Sequence, residues 1–402
     1  MKNSLRPSST AFRRSFFSQN QPIVAACLLF AASVAFAPVA LRGQGRDTLA
    51  GLGDSPSQAA AGPLATDISP ALKKKAVAHV MRKVADWQMS RVDTHYSLDW
   101  TFAALYAGFM AVPPAVNGAV YQDAMVNMGK QFSWQLGPRS EHADDQAVGQ
   151  TYLELSAKRN DPTMIAPTHA RMDELLKHVD DPKKPLWWWC DALFMAPPVL
   201  ADLAQQTNDK KYLDFMDREW WITSNLLYDK QQHLYSRDAT FLDKKERNGA
   251  KVFWSRGNGW VMAGLVRVLQ GMPKDYPTRQ KYVTQFQEMA SSIAALQSKD
   301  GLWRPGLLDA NDYQLPEISG SAFYTYALAY GVRTGLLDKK QYLPVVDQAW
   351  TGLLNHVYQD GRLGAIQPIG AAPGDFTDTS SYVFGVGAFL LAGFEVYELS
   401  RK

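Results

Sequence analysis

The sequence predicts an all-α protein, an (α/α)6 double barrel of six inner and six outer helices over residues 70–402. Three observations predict this fold. Apolar residues recur at intervals of three and four along most of the chain, which is typical of helices with one buried face. Twelve such segments follow one another, and they are alternately rich and poor in charge. Strand-like alternation of polar and apolar residues is scarce.

The twelve predicted helices are separated by Gly, Pro or Asp residues, which commonly interrupt helices. They span residues 70–92, 99–112, 115–136, 143–158, 165–178, 190–206, 209–228, 258–271, 278–298, 319–334, 339–357 and 381–399. The segment 229–253 is expected to form a short hairpin or a long loop, and long loops are also expected at 301–317 and 361–379. Loops of this length in a compact domain are usually functional or disordered.

The odd-numbered and even-numbered helices differ in composition. Odd-numbered helices carry charge, as at Lys73-Lys74-Lys75 in the first, so one face of each meets water. Even-numbered helices are poor in charge and rich in Gly, Ala and aromatic residues, as in segments 102–109 and 382–389. Helices that are apolar around most of their circumference are buried. Six helical hairpins can form an open solenoid or a closed barrel, and buried even-numbered helices favour the closed barrel.

The N-terminal residues differ from the rest of the chain. Four basic residues precede the apolar stretch 23–41, and the small residues of Val34-Ala35-Phe36-Ala37 suit a signal peptidase. Residues 1–37 are therefore predicted to be an export signal, although an uncleaved membrane anchor is the alternative. Residues 38–69, rich in Gly, Ala, Ser and Pro, are predicted to be a flexible leader. We expect a periplasmic or extracellular protein without a membrane segment after cleavage.

Charge and cysteine content exclude several classes of function. Removing residues 1–37 changes the balance of basic and acidic residues from 42 against 39 to 38 against 39, so the basicity belongs to the signal. No cluster of Lys and Arg suggests nucleic-acid binding. Cys190 is then the only cysteine, which precludes an intramolecular disulfide, and we interpret it as a small buried side chain. No Cys/His cluster or calcium-loop pattern predicts a metal site.

In an alternating barrel, the N-termini of all inner helices lie at one mouth. The residues at these positions are mostly polar with an adjoining aromatic: Asp99-Trp100, His142 to Asp145, Trp189-Cys190-Asp191, Arg256 to Trp260, Glu317 to Gly320 and Asp378 to Tyr382. Helix capping explains Asp99, Asn258 and Ser319, but it does not explain the pair Asp144-Asp145. Converging N-termini make the mouth electropositive, which favours an anionic ligand such as an acidic sugar.

Asp191 is the leading candidate for catalysis. It follows Trp187-Trp188-Trp189 and precedes an apolar run. Burial among such neighbours raises the pKa of a carboxyl, and a carboxyl that stays partly protonated can act as a general acid. Tryptophan faces also suit sugar rings. The alternative is a core helix with Asp191 as its N-cap.

Three stretches give the chain a specific resemblance: residues 191–198, 253–260 and 317–323. Over residues 75–400 it resembles the unsaturated glucuronyl and rhamnogalacturonyl hydrolases, glycoside hydrolase families 88 and 105, and family 105 in particular. The resemblance implies the six-fold double α-helical barrel. It also implies removal of a 4,5-unsaturated uronic acid from lyase-generated oligosaccharides, by protonation of C4 and addition of water at C5. Rhamnogalacturonan-type oligosaccharides are the expected substrate, and ulvan-type or other glucuronan-derived ones are the alternative.

The resemblance also implies roles for individual residues. Asp191 matches the proton donor and water activator. Asp145 matches the second essential carboxylate, chosen over Asp144 from the residues that follow. Arg256 is expected to pair with the substrate carboxylate or an adjoining ring, unless it forms an ion pair with a loop carboxylate. The remaining predicted substrate-binding residues are Trp254, Trp260, Trp189, Asp144, Asn258, Trp100 and His142. One departure stands out, because relatives carry a His-containing loop where this chain has Tyr235-Ser236-Arg237-Asp238.

Two rival functions remain. A sugar epimerase on the same barrel would work through cavity histidines, and only His142 and His95 lie near the predicted mouth. A non-catalytic carbohydrate-binding barrel is disfavoured because Asp145 and Asp191 are both present. The predicted reaction needs no cofactor and no metal. The expected partner is an anionic oligosaccharide, and the protein is expected to be a monomer or a weak oligomer.

Overall fold

The computed structural model describes residues 53–55, 61–179, 181 and 183–400; the predicted signal at 1–37 lies outside them. The α-helices within these ranges are α1 Lys74–Val92, α2 Trp100–Ala111, α3 Gly118–Gln131, α4 Ala143–Gln146, α5 Gly149–Arg159, α6 Ala166–Leu175, α7 Ala192–Met195, α8 Pro197–Thr207, α9 Lys211–Leu227, α10 Ser255–Gly271, α11 Arg279–Ala295, α12 Ile318–Thr334, α13 Lys339–Leu354 and α14 Val383–Leu399. Short 3-10 helices lie at Pro114–Val116, Pro162–Ile165, Ala239–Phe241 and Ala310–Asp312. Strands β1 Tyr228–Asp229 and β2 Leu234–Tyr235 pair antiparallel.

All twelve predicted helices are present, but two inner ones are divided. The predicted helix 143–158 consists of α4 and α5, and the predicted helix 190–206 consists of α7 and α8. The second division falls at Pro197, because proline has no N–H and restricts the residue before it. The hairpin expected within 229–253 forms at its beginning, as β1 and β2.

The inner helices form a closed ring. In order α2, α5, α8, α10, α12 and α14, each packs against the next, and α14 packs against α2. At this last contact Gly108 faces Gly387, and a Cβ on Gly108 would lie 2.7 Å from the Cα of Gly387. The glycines therefore permit the two backbones to approach closely. The closed barrel is confirmed, and the open solenoid is excluded.

Burial follows the predicted alternation. Every residue of the inner helix α12 from Ile318 to Val332 is buried. The outer helix α1 buries one face, with Val77, Val80, Met81 and Val84. Inner helices therefore lie between the outer ring and the barrel axis, as their composition predicted. Within the described ranges, none of the helices combines the length and apolar composition that crossing a bilayer requires.

Part of the predicted flexible leader contacts the barrel. The backbone of Ser55 pairs with that of Ser381, and the backbone of Leu64 pairs with that of Tyr358. The Asp54 carboxylate accepts a hydrogen bond of 2.9 Å from the backbone N–H of Val383, in the first turn of α14. These described residues of the predicted leader therefore pack against the barrel.

Candidate active site

A small cavity of about 50 Å³ lies where the N-termini of the inner helices meet. Its walls are formed by Trp100, Asp144, Trp189, Asp191, Met195, Arg237, Trp254, Trp260, Ile369 and Gly370. Six of the predicted site residues therefore come together here. The other four, Asp145, Arg256, Asn258 and His142, do not line the cavity.

Asp191 precedes α7 but does not cap it. Its backbone is helical (φ −62°, ψ −28°), and its side chain makes no capping hydrogen bond. The carboxylate instead lies at the cavity. Its Oδ1 accepts a hydrogen bond of 3.7 Å from the Cys190 thiol, and its Oδ2 lies 3.4 Å from Nε of Arg237. The capping alternative is therefore not what the structure shows.

Burial raises the pKa of the Asp191 carboxyl, and the nearby Arg237, Arg256 and Cys190 offset part of that rise. The direction follows from desolvation, which disfavours the charged form of an acid. Cys190 is buried as predicted, and burial raises the pKa of its thiol well above the ordinary value. The thiol therefore stays protonated and donates a hydrogen bond to Asp191. A buried acid with a raised pKa suits general acid catalysis.

The adjacent carboxylates of α4 point in different directions, because successive helical residues lie about 100° apart around the axis. Asp145 accepts hydrogen bonds from Arg139: 2.7 Å from its backbone N–H, 3.1 Å from Nε and 2.5 Å from Nη2. Asp144 instead lines the cavity, with Oδ2 at 3.7 Å from Nδ1 of His142. The position of Asp145 does not support its predicted catalytic role, and Asp144 is the carboxylate that reaches the site.

Arg256 has a structural role instead of the predicted contact with substrate. Its side chain is 1% exposed, and Nη1 and Nη2 each donate a hydrogen bond of 2.7 Å, to the carbonyls of Gln367 and Pro368. Its Nη1 lies 3.7 Å from Oε1 of Glu317. The alternative, an ion pair with a loop carboxylate, describes the structure better. The guanidinium holds the loop that contains Gln367 and Pro368.

That loop forms part of the cavity wall. Glu317 accepts a hydrogen bond of 3.1 Å from the backbone N–H of Gln367, and Trp254 donates one of 3.0 Å from Nε1 to the Gln367 side chain. Glu317 also caps α12. These bonds place Ile369 and Gly370 at the cavity. Sequence reasoning predicted the long loop but did not identify these two residues.

Asn258 also has a structural role. Its Oδ1 accepts a hydrogen bond of 2.7 Å from the backbone N–H of Tyr235, and its Nδ2 donates one of 3.0 Å to the carbonyl of the same residue. Asn258 thus fixes β2 against α10, away from the cavity. Its position does not support the predicted contact with substrate.

Arg237 also lines the cavity, although it was not among the predicted site residues. Its carbonyl accepts a hydrogen bond of 2.8 Å from the backbone N–H of Cys190, so the segment after β2 lies directly beside Asp191. Its Nη1 donates a bond of 2.7 Å to Asp238, and its guanidinium lies 5.3 Å from the ring centre of Trp188. The one signal in the sequence was the departure of residues 235–238 from the related loop.

Four indoles surround the carboxylates. Trp100 contacts Trp260 edge to face, with ring centres 5.9 Å apart, while Trp189 and Trp254 complete the walls. His142 lies behind this wall, with its ring 4.8 Å from that of Trp189. Indole walls suit a sugar ring. Among the described residues, no three His, Cys, Asp or Glu side chains come together as metal ligands would.

The geometry agrees with comparisons to known proteins. The sequence model of the family described as Glycosyl Hydrolase Family 88 matches residues 72–400. The unsaturated 3S-rhamnoglycuronyl hydrolase of Formosa agariphila is 43% identical over 341 residues, which cover 80% of this chain and 90% of that protein. A protein of the same name from an Alteromonas species is 28% identical over 368 residues, covering 83% and 89%. A solved family 88 structure from Bacteroides vulgatus is 31% identical with a TM-score of 0.77, and covers 81% of this chain and 99% of its own.

Proposed function

The chain belongs to Glycosyl Hydrolase Family 88, and we propose that it removes 4,5-unsaturated uronic acid from the non-reducing end of lyase-generated oligosaccharides. One observation carries the proposal. Asp191, a buried carboxyl with a raised pKa, lines an indole-walled cavity together with Asp144 and Arg237. A general acid, a second carboxylate and a cation beside a sugar-binding wall are the groups that hydration of an anionic vinyl ether requires.

The reaction begins with proton transfer from Asp191 to C4 of the unsaturated ring. Positive charge develops at C5, and water adds there while the Asp191 carboxylate takes a proton from the water. The resulting hemiketal opens to a ketone at C5 and leaves a hemiacetal at C1. That hemiacetal collapses to an aldehyde, the hydroxyl at C1 loses its proton, and the bond to the leaving sugar breaks as the leaving oxygen gains a proton. Because the anomeric carbon is not attacked, the distance between the two carboxylates does not predict inversion or retention.

Asp144 is the second carboxylate of this proposal. It lines the cavity, and its Oδ2 lies 4.0 Å from Nη2 of Arg139 as well as near His142. A carboxylate at this position can accept hydrogen bonds from a sugar hydroxyl or from the attacking water. Asp145, bonded to Arg139, would position the segment that carries Asp144.

The relatives' names favour one of the two substrate classes left open by the sequence. Two similar proteins are named unsaturated 3S-rhamnoglycuronyl hydrolases, and the first is 43% identical over 90% of its length. We therefore propose that a rhamnose follows the unsaturated uronic acid and that ulvan-type oligosaccharides are the preferred substrate. This replaces the rhamnogalacturonan type as the preferred substrate.

The test follows the ultraviolet absorbance of the conjugated double bond during incubation with lyase-digested ulvan and lyase-digested rhamnogalacturonan. Wild-type protein should remove the absorbance, faster with the ulvan digest. Asp191→Asn should lower kcat by about 100- to 10,000-fold, the usual contribution of a general acid. Unchanged absorbance with wild type on both digests would favour the non-catalytic binding barrel. Turnover by Asp191→Asn at the wild-type rate would refute the assignment of the acid.

A further inference from the structure

The cavity presents an electrostatic problem to the proposed substrate. An unsaturated uronic acid carries a carboxylate at C6, yet the cavity already holds the carboxyl groups of Asp144 and Asp191. Like charges at close range repel one another strongly where water is excluded, and Asp191 becomes a carboxylate once it has given its proton to C4. Of the described residues that line the cavity, Arg237 alone carries a positive charge. We propose that Arg237 binds the substrate carboxylate, an inference that rests on the proposed function.

Arg256, the residue predicted for this role, is already engaged. Two of its nitrogens donate to the carbonyls of Gln367 and Pro368, and its side chain is buried outside the cavity wall. Binding a substrate carboxylate would require those hydrogen bonds to break and the loop that contains the two carbonyls to move. Its charge acts on the cavity only from a distance.

Arg237 has donors to spare and a fixed orientation. A guanidinium has five N–H donors, and in Arg237 Nη1 donates to Asp238 while Nε faces Oδ2 of Asp191 at 3.4 Å, so these two contacts leave further donors for a ligand. The face of the guanidinium lies over Trp188, a cation–π contact that restricts its rotation. A planar, oriented guanidinium can bind a carboxylate through two parallel hydrogen bonds.

The position of Arg237 also fits the reacting atoms. C6 is bonded to C5, which neighbours C4, the carbon that accepts the proton. Nε of Arg237 lies 3.4 Å from Oδ2 of Asp191. A substrate anchored through C6 at Arg237 therefore has C4 close to the acid. Holding reactants in this way supplies much of an enzyme's rate enhancement.

The segment that carries Arg237 is held in place by backbone contacts. Asn258 bonds both backbone groups of Tyr235, and the backbone N–H of Cys190 donates to the carbonyl of Arg237. An arginine at this position keeps its charge at every working pH, which a histidine does not. The segment thus supplies a permanent cation for the uronate.

The test compares two substrates and three proteins. The substrates are an unsaturated disaccharide from the ulvan digest and the methyl ester of its uronic acid, and the proteins are wild type, Arg237→Gln and the control Arg247→Gln. Arg247 is an exposed residue that pairs with Asp312, outside the cavity. We expect Arg237→Gln to lower kcat/KM for the free acid by about 10- to 100-fold, the usual effect of losing hydrogen bonds to a charged group. On the ester, Arg237→Gln and wild type should differ by less than about threefold, and Arg247→Gln should match wild type on both.

Equal losses on acid and ester would overturn the proposal, because Arg237 would then act only by orienting Asp238 and the segment around it. If Arg237→Gln does not fold, Arg237→Lys allows the same comparison. Lysine keeps the positive charge but lacks the two parallel donors of a guanidinium. An intermediate loss of kcat/KM that is confined to the free acid would therefore support the proposal. If the wild-type protein does not turn over the free acid, the proposed function itself is refuted.

Discussion

The three consecutive tryptophans occupy three different environments. Trp187 is fully buried in the core, Trp188 is 47% exposed beneath Arg237, and Trp189 forms a wall of the cavity. Asp191 follows the triplet in the chain, separated from Trp189 by Cys190 alone. The triplet thus anchors the acid on one side, orients the cation beside it and provides a surface for the sugar. The three roles differ because the three indoles point to the core, to Arg237 and to the cavity.

The carboxylates of α4 can be separated by mutation. Asp144→Asn should lower kcat/KM by at least about 100-fold with little change in the free energy of unfolding, because its carboxylate lines the cavity. Asp145→Asn should lower the free energy of unfolding by about 1 kcal/mol, because it breaks the paired hydrogen bonds with Arg139, whose side chain is half exposed. Kinetics and thermal unfolding of both variants provide the check. The reverse pattern would return the catalytic role to Asp145.

For individual residues, the sequence predicted Asp191 and the four indoles of the cavity but not all of the residues that line it. Polar residues at six helix N-termini, the tryptophan triplet and the family resemblance together predicted Asp191, Asp144 and their aromatic neighbours as site residues, and the structure brings them to one cavity. The direction of a side chain within one turn was not available, so the sequence could not separate Asp144 from Asp145. Arg237 lies between helices, and only long-range backbone pairing brings it to the cavity. Burial of Arg256 likewise depends on a loop more than 100 residues away.

The short helices are where the site is built. Asp144 lies on α4 and Asp191 immediately precedes α7, and both are one-turn helices followed by the longer inner helices α5 and α8. Each division lets the chain bend at the mouth of the barrel and places a carboxyl at the cavity. Apolar periodicity continues across both divisions, which explains why the sequence predicted continuous helices there.

The loop in the cavity wall depends on Arg256. Arg256→Lys should lower the free energy of unfolding by about 1 to 3 kcal/mol, because a lysine cannot donate to both the Gln367 and Pro368 carbonyls in one plane and leaves a buried site poorly paired. Release of the loop should also raise KM. Amide hydrogen exchange of residues 365–376, measured beside thermal unfolding, gives the readout. Unchanged exchange in this loop would show that Gln367 is held by Glu317 and Trp254 alone.

The two ends of the barrel differ in character. Its N-terminal mouth holds the site, while a cavity of about 640 Å³ lies among residues from the C-terminal halves of the inner helices. Asp202, Arg267 and Glu154 line that second cavity, and Arg267 forms an ion pair with Glu154. The alternation of twelve helices predicted the barrel and its two ends, because helix direction follows from chain order. The charges at the far end gave no signal in the sequence, since single Asp and Arg residues in helices are common.

Asp202 makes stability depend on pH without involving the site. Burial raises the pKa of its carboxyl from 3.8 to about 7, Arg267 offsets part of that rise, and Glu154 adds to it. The folded state therefore binds this proton more tightly than the unfolded chain does. Its contribution to stability is fully present below about pH 4 and is lost as the pH rises to about 7.

Asp202→Asn should therefore stabilise the protein above neutral pH. Asparagine resembles the protonated carboxyl but does not ionise, so the unfolding temperature of Asp202→Asn should exceed that of wild type by a few degrees at about pH 8, with a smaller difference at about pH 5. Because Asp202 lies at the far end of the barrel, kcat/KM should not change. Thermal unfolding at both pH values and the absorbance assay provide the check. An equal shift at both pH values would assign the effect to packing instead of ionisation, and a loss of activity would show that the two ends of the barrel are coupled.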